Sequence, residues 1–174
     1  MSKLLFPKTY LACVTDIDVD WLRRKGFRGV LFDLDNTIIR RDTHEFSREI
    51  LEFIEKLRGH GFAMGIVSNS RTGRVDELVR RLNIPAVGRA AKPFGHTFRN
   101  ALKMLGTTPA ETVIVGDQIF TDVLGGNLAG LHTILVTPMP GKDFIGTKLI
   151  SRPLERLVLA RFKKHAGVDY GKLN

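Results

Sequence analysis

The most informative part of this sequence is Val30-Leu31-Phe32-Asp33-Leu34-Asp35-Asn36-Thr37. Its apolar residues, followed by two carboxylates one residue apart, predict a buried strand that opens into an acidic loop. Because side chains alternate along an extended chain, we expect Asp33 and Asp35 to lie on one face, with Leu34 turned away. Two carboxylates in one small volume are costly unless a cation lies between them or one holds a proton. The stretch therefore predicts either a divalent cation held by oxygen or a proton donor beside a nucleophile.

On both sides of this stretch, strand-like apolar runs alternate with segments of helical spacing. This alternation predicts a doubly wound α/β fold with three layers, in which helices cover both faces of a parallel sheet. The predicted strands are residues 30–34, 62–67, 85–88, 112–115 and 132–136, and the predicted helices are residues 16–25, 47–59, 75–82, 98–105 and 121–129.

The C-terminal part of the chain is predicted to be a basic amphipathic helix over about residues 153–165. Leu154, Leu157, Val158 and Phe162 are expected on one side of this helix. Two interpretations stay open: the apolar side packs on the sheet, or the basic residues of the helix meet an anionic partner, and both can hold together. Residues 166–174 are predicted to be a mobile tail.

A chain of 174 residues is expected to form one domain over 1–174, with a core over about 16–137 and the basic helix and tail over about 150–174. The net charge of +9 is unevenly distributed. Residues 141–174 hold eight Lys and Arg against three acids, so this segment carries more than half of the net positive charge. A basic surface favours an anionic partner, whether nucleic acid, anionic lipid or a phosphorylated small molecule.

Cys13 is the only cysteine, which excludes an internal disulfide and a thiolate metal cluster and suits a reducing compartment. We expect no signal peptide, since Pro7, Lys8 and Thr9 interrupt the apolar residues of the N-terminus. No stretch approaches the roughly 18 apolar residues of a membrane-spanning helix. The sequence therefore predicts a cytoplasmic protein that can meet a membrane only as a peripheral protein, from its surface.

Polar side chains follow four of the predicted strands at the points where the strands end. Since the carboxyl ends of parallel strands meet at one edge of a sheet, we expect these side chains to share one site. Each signal alone is typical of a turn or a helix cap, but the four together indicate a catalytic site. The residues are Asp33 and Asp35, Ser68 and Asn69, Lys92, and Asp117 with Asp122.

These motifs resemble those of the haloacid dehalogenase (HAD) superfamily of phosphohydrolases. Residues 33–37 match its first motif, Asp-x-Asp-x-Thr, and Ser68 matches the second, a Ser or Thr after a strand. Lys92 matches the third motif, and Gly116-Asp117 with the later Asp122 matches the fourth. The resemblance covers residues 16–136 approximately, and it implies a HAD-like, Rossmann-type fold and a phosphatase activity.

The resemblance also implies a role for each residue in phosphoryl transfer. Asp33 would attack phosphorus and become an aspartyl phosphate, while Asp35 would protonate the leaving alcohol and then activate water. Ser68 and the backbone N–H of Asn69 would hold phosphate oxygens. Lys92 would bind the phosphate as well and neutralise charge on the intermediate.

A magnesium site is the third implication of the resemblance. The carboxylates of Asp33 and Asp117, the main-chain carbonyl of Asp35 and waters would form the oxygen shell that Mg²⁺ prefers. Asp122 would orient the waters of the metal or bind the metal itself. The supporting residues are Thr37 and Gly116.

The short intervals between motifs predict an open site. HAD enzymes usually gain specificity from a cap domain inserted after the first or second motif. Here 30 residues separate Thr37 from Ser68 and 23 separate Ser68 from Lys92, and one helix and one strand use up each interval. We therefore predict no cap domain. An open site suits a substrate too large to enclose, a substrate presented at a surface, or a homo-oligomer in which one subunit caps its neighbour.

At finer grain the chain resembles subclass IIIA HAD phosphatases of the bacterial YqeG type. The shared features besides the first motif are a short leader, Asp16, Asp18 and Asp20 at a helix start, Gly29 before the strand, and Lys92-Pro93. That group is similar to mitochondrial phosphatases of phosphatidylglycerophosphate. The resemblance therefore implies an anionic lipid head group as substrate, with phosphatidylglycerol and inorganic phosphate as products. The basic C-terminal helix favours the same partner, since Lys and Arg contribute about 1 kcal/mol each beside an anionic leaflet.

Two other functions also fit the residues. One is a soluble phosphatase acting on a nucleotide, a sugar phosphate or a nucleic-acid end. The other is a basic RNA-binding or ribosome-binding module that retains a vestigial phosphate site. Two observations oppose the binding module. Every catalytic position of the four motifs keeps its expected residue type, and aromatic and basic residues do not alternate as they do in proteins that bind single-stranded nucleic acid. Nucleic acid is therefore the less favoured partner.

Overall fold

The computed structural model describes residues 3–70, 73–87, 90–140 and 152–166. Its strands are β1 (Thr9–Leu11), β2 (Gly29–Phe32), β3 (Ala63–Val67), β4 (Ala86–Val87), β5 (Thr112–Gly116) and β6 (His132–Val136). Its α-helices are α1 (Val19–Arg24), α2 (Arg48–Gly59), α3 (Gly73–Leu82), α4 (Gly95–Leu105), α5 (Leu124–Leu128) and α6 (Arg152–Ala166).

All six strands form one parallel sheet in the order β1-β6-β5-β2-β3-β4. β2 lies near the centre, where Gly29 is level with Ala63 of β3 and with Thr112 of β5. Every residue of β2 is buried, as expected for a strand covered on both faces. The predicted α/β fold with a doubly wound parallel sheet is confirmed.

Helices cover both faces of the sheet, and the side chains of β5 show the division. Val113 and Val115 join the core that α1, α2 and α3 cover, whereas Ile114 joins the core beneath α4. A third cluster, on the same face as α4, includes Leu135 of β6 and Val158 of α6. This alternation follows from the two-residue period of a strand.

β1 was not predicted. It has three residues, of which only Leu11 is buried, so it is too short for its pattern to be distinctive. It forms the edge of the sheet next to β6, with Thr9 level with Ile134. A pairing between residues so far apart in sequence leaves no local signal.

Two predicted helices differ from the observed ones. The helix predicted from residue 16 begins at Val19, because the Asp18 side chain accepts the N–H groups of Asp20 and Trp21 and caps the helix there. The helix predicted over residues 121–129 is a π-helical turn, Ile119–Val123, followed by the short α5. The other predicted helices and strands are confirmed to within a few residues.

The prediction that Leu154 and Leu157 share the packed side of the C-terminal helix with Val158 and Phe162 is wrong. In α6, Glu155 and Val158 are buried, while Leu154 and Leu157 are 49% and 51% exposed. The Glu155 carboxylate accepts the backbone N–H of Ile119, at the start of the π-helical turn after β5, and this contact orients the helix. The hydrogen bond from Ile119 offsets part of the cost of burying this carboxylate, and an apolar pattern does not predict such a contact.

The short intervals between motifs are occupied as predicted. α2 and β3 lie between Thr37 and Ser68, and α3 and β4 lie between Ser68 and Lys92. Within the described ranges, no helix is long and apolar enough to cross a membrane. The predicted tail beyond Ala166 lies outside the described residues, as do residues 141–150.

Candidate active site

The first motif leaves the sheet through a tight turn. The Asp33 N–H still donates to the Val115 carbonyl of β5 at 2.8 Å, so Asp33 is held against the end of the sheet. The carbonyl of Leu34 then accepts the N–H groups of Ile38 and Ile39, each at 3.2 Å. Asn36 makes the turn with a positive φ of 63°, a conformation that Asn tolerates better than most residues.

Lys92 connects two of the predicted site residues. Its Nζ donates to Asp33 Oδ1 at 2.5 Å and to Asp122 Oδ1 at 2.7 Å. All three residues are at most 6% exposed. The side chains therefore form a buried acid–base–acid triad in which each charged group has an opposite charge in contact, as buried charges require.

Burial and the charges of the triad together shift two pKa values. Burial raises the pKa of Asp33 to about 6, although the nearby Lys92 ammonium acts to lower it. Burial also acts to lower the pKa of Lys92, but Asp122 and Asp33 outweigh it, so this pKa lies above its ordinary value. At neutral pH Lys92 is therefore charged and the Asp33 carboxylate is predominantly ionised.

Asp117 completes a cluster of carboxylates with Asp33 and Asp122. One carboxylate oxygen of each lies within 4.8 Å of the others, and all three residues are buried. The Thr37 hydroxyl lies 3.3 Å from Asp33 Oδ2 and 3.4 Å from Asp117 Oδ1, which links the first motif to the fourth.

The cluster fits a divalent cation by its charge and its donor atoms. Of the residues that the structure describes, Lys92 is the one buried cation, and it contacts two of the three buried carboxylates. The cluster thus carries an excess of two negative charges, which a divalent cation bound by oxygen would balance. Asp35 lies outside this set of three, and the predicted role of its main-chain carbonyl remains a prediction.

Ser68 and Asn69 follow β3 at the same edge of the sheet. Ser68 is buried, and its Oγ accepts the N–H of Ser70 at 3.1 Å. The Asn69 side chain holds the main chain of Lys92: Oδ1 accepts the Lys92 N–H at 2.9 Å, and Nδ2 donates to the Lys92 carbonyl at 3.3 Å. The sequence predicted a role only for the Asn69 backbone, so this side-chain contact was missed.

The loop that carries Lys92 has further supports. The hydroxyl of the buried Thr97 accepts the Ala91 N–H at 3.0 Å, and the Lys92-Pro93 peptide bond is cis. A Cβ on Gly125 would lie 3.1 Å from the Pro93 Cα, so α5 packs directly against this loop. The contact of Thr97 is local to this loop, whereas the approach of Gly125 comes from a distant segment, and none of these supports was predicted.

Asp122 packs directly against the backbone of Gly116. A Cβ on Gly116 would lie 2.3 Å from the carboxyl carbon of Asp122, so only glycine leaves room for that side chain. Asp122 Oδ2 accepts the Gln118 N–H at 3.1 Å, and Glu155 of α6 accepts the Ile119 N–H at 2.8 Å. The contact of Glu155 was not predicted, because its partner is 36 residues away.

Comparison with known proteins gives the family. A family model described as HAD-hydrolase-like matches residues 89–138, which include Lys92, Asp117 and Asp122. Probable phosphatase YqeG of Bacillus subtilis is 32% identical over 170 residues, which cover 98% of each chain. The chain belongs to the HAD superfamily. Within it, the chain is a HAD-family phosphatase of the YqeG type, which confirms both resemblances seen in the sequence.

Two further proteins are similar to this HAD phosphatase. Phosphatidylglycerophosphate phosphatase 1, chloroplastic/mitochondrial, of Arabidopsis thaliana is 30% identical over 157 residues. The match covers 84% of this chain but 44% of the plant protein. The crystal structure of a HAD phosphatase from Thermococcus onnurineus superposes with a TM-score of 0.58 at 18% identity, covering 68% of this chain and 90% of that chain. At that identity the likeness concerns the fold alone.

Proposed function

We propose that this HAD phosphatase hydrolyses phosphatidylglycerophosphate to phosphatidylglycerol and inorganic phosphate, through an aspartyl phosphate on Asp33 and with Mg²⁺. The observation that carries the catalytic part is the buried triad of Asp33, Lys92 and Asp122 at the carboxyl edge of the sheet. The lipid substrate is supported by the similarity to the plant phosphatidylglycerophosphate phosphatase. The net charge of +9 suits an anionic substrate as well.

In the first step, a carboxylate oxygen of Asp33 attacks phosphorus. The new P–O bond forms as the bond between phosphorus and the glycerol oxygen breaks, and Asp35 gives its proton to that oxygen. The contact of Lys92 with Asp33 places a positive charge where the phosphoryl group would be transferred. The Ser68 hydroxyl and the Asn69 backbone N–H would hold the other phosphate oxygens.

In the second step, Asp35 takes a proton from water, and the water oxygen attacks phosphorus. The bond between phosphorus and the Asp33 oxygen then breaks, which frees inorganic phosphate and restores the Asp33 carboxylate. Asp35 is half-buried, whereas Asp33 is buried, so Asp35 is the acid that water and the leaving glycerol can reach more easily. This difference in exposure suits the two roles.

The buried carboxylates would hold the magnesium ion. Asp33, Asp117 and the main-chain carbonyl of Asp35 are the proposed ligands, and Asp122 would bind it or order its waters. When bound, the cation supplies positive charge to the phosphate oxygens. Thr37 keeps the Asp33 and Asp117 carboxylates at a fixed separation, because its hydroxyl contacts both.

The test is release of inorganic phosphate from phosphatidylglycerophosphate in detergent micelles with Mg²⁺, beside a panel of soluble phosphomonoesters. We expect turnover of the lipid, and loss of turnover in the Asp33→Asn variant. Asp76→Asn is the matched control, since Asp76 is an exposed carboxylate on α3 that has none of the proposed roles. This variant should keep wild-type activity.

Other outcomes would redirect the proposal. Equal turnover of soluble esters, with no preference for the lipid, would replace the lipid substrate with a soluble one. A folded protein that turns over nothing on this panel, with Mg²⁺ present, would contradict the proposed substrates. Trapping of ³²P on the wild type but not on Asp33→Asn would test the aspartyl phosphate directly.

A further inference from the structure

The outer face of α6 combines basic and apolar side chains. Leu154 and Leu157 are 49% and 51% exposed, and Arg156 and Arg161 are exposed beside them. The only acid of this helix, Glu155, is buried on the opposite side. The described side chains of the outer face are thus cationic or apolar, which is the composition of helices that lie on anionic membranes.

The inner face holds α6 close to the active site. Glu155 accepts the N–H of Ile119, which lies two residues after Asp117. Further along the helix, the ring of Phe162 lies 5.6 Å from that of Phe6. Because α6 is attached at both points, its outer face keeps a defined position relative to the carboxylate cluster.

A third exposed apolar side chain follows the catalytic lysine on another element. Phe94 follows Lys92 by two residues and is 64% exposed, more than any other large apolar residue that the structure describes. Its ring stacks on that of His96, with centroids 6.3 Å apart. Phe, like Leu and Trp, is one of the apolar side chains that interfacial segments bury at the boundary between lipid head groups and acyl chains.

We propose that the outer face of α6, with Phe94, docks this phosphatase on an anionic phospholipid bilayer. This inference rests on the proposed lipid substrate, because it explains how an open site would reach a head group that stays in its membrane. The two arginines complement the anionic surface, and the leucines and Phe94 enter the head-group region. Nucleic acid would use the arginines but offers no comparable environment to the leucines.

The test measures binding to vesicles without turnover. Wild-type protein, without added Mg²⁺, is sedimented with vesicles of phosphatidylcholine containing phosphatidylglycerol, and with vesicles of phosphatidylcholine alone. We expect binding to the anionic vesicles only, weakened by salt. Arg156→Gln with Arg161→Gln should weaken binding about 30-fold, at the contribution of about 1 kcal/mol that each basic residue makes near an anionic leaflet. Leu154→Ser with Leu157→Ser should weaken it on the order of tenfold.

Matched controls lie on the opposite face of the sheet. Arg23→Gln with Lys56→Gln removes the same net charge from exposed positions of α1 and α2, and Leu51→Ser changes an exposed leucine of α2. Leu51→Ser should bind like wild type. The charge control should weaken binding far less than the arginine variant of α6, because it changes only the net charge. Thermal unfolding checks that every variant is folded.

Three results would overturn the docking surface. The first is that the wild type shows no preference for anionic vesicles, and the second is that the α6 variants and their controls weaken binding equally. The third combines two assays: the leucine variant binds vesicles like wild type, and the arginine variant loses binding to a random RNA. The last would indicate nucleic acid instead. Vesicle binding through α6 without turnover of phosphatidylglycerophosphate in micelles would contradict the substrate and leave the docking surface intact. Turnover in micelles without vesicle binding would contradict the docking surface and leave the substrate intact.

Discussion

The side-chain amide of Asn69 clamps the main chain of Lys92, accepting its N–H at 2.9 Å and donating to its carbonyl at 3.3 Å. The backbone of Lys92 is thereby held at the end of β3, while its ammonium reaches Asp33 and Asp122. One side chain thus joins the loops that follow β3 and β4. Asn69 is therefore placed to position the lysine.

The clamp predicts that Asn69→Ala lowers kcat more than it changes KM. Loss of both hydrogen bonds should let Lys92 move away from Asp33, and a displacement of this kind reduces rates by on the order of 10- to 100-fold. Asn69→Asp keeps the acceptor and loses the donor, so its kcat should be intermediate. Asn100→Ala, on an exposed part of α4, is the control and should behave like wild type. An unchanged kcat in Asn69→Ala would refute the positioning role.

Metal binding is expected to stabilise the fold. The excess negative charge of Asp33, Asp117 and Asp122 is buried in the absence of a cation, and a ligand that binds only the native state raises the free energy of unfolding by about 2.7 kcal/mol at 100 times its Kd. Mg²⁺ should therefore raise the Tm and EDTA should reverse the rise. Asp117→Asn should largely abolish the shift, whereas Asp76→Asn should retain it. An equal rise in both variants would place the cation elsewhere.

A glycine comparison tests the packing of the fourth motif. Gly116→Ala would place a Cβ 2.3 Å from the Asp122 carboxyl carbon, so this carboxylate must move and phosphatase activity should fall at least tenfold. Gly59→Ala is the matched change at the end of α2, where nothing lies within 4 Å of the added Cβ. It should leave activity unchanged and raise stability by about 0.5 kcal/mol, because alanine is the better helix former. Equal activity of the two variants would contradict the steric argument.

His132 predicts how stability depends on pH. Burial, with Lys8 and Lys25 nearby, lowers the pKa of His132 from 6.5 to about 4, and its Nε2 lies 2.9 Å from the Thr9 hydroxyl. Between these two pKa values the unfolded chain binds more protons than the native state, so stability should fall as the pH drops from 6.5 to 4. The loss attributable to His132 should reach roughly 2–3 kcal/mol.

The His132→Phe variant isolates this contribution. The new ring can keep the contacts with Trp21 and Phe27 but cannot take a proton. Asp33 acts in the opposite direction over an overlapping range, because burial raises its pKa to about 6. The difference between the urea-unfolding curves of the two proteins removes that effect. The difference should change with pH between 6.5 and 4, and a constant difference would show that His132 does not titrate as proposed.

Much of the fold could be predicted because its signals are local. The buried strand before Asp33, the helical spacing of Ile50, Ile54 and Leu57, and the glycine stop at Gly106 each reflect a few neighbouring residues. Gly106 has the positive φ of 65° that such a stop requires. β1 could not be predicted, because it is defined by its pairing with β6, more than a hundred residues away in the sequence.

The candidate site was predictable only as a list of residues. The order of strands and of the polar residues that follow them indicated that Asp33, Lys92, Asp117 and Asp122 share one edge of a sheet. Their contacts were not predictable, because they depend on side chains from separate loops. The Asn69 clamp and the burial of Glu155 against Ile119 belong to the same class.

The alternation of strands and helices follows from local sequence, because backbone geometry and burial act over short stretches, and this alternation sets the edge at which the carboxylates meet. The position of Lys92 between Asp33 and Asp122, and the rotation of α6 that buries Glu155 and exposes its leucines, depend on tertiary packing. The reason is physical: a buried charge is stable only beside a specific partner. Which partner it meets depends on how distant segments pack.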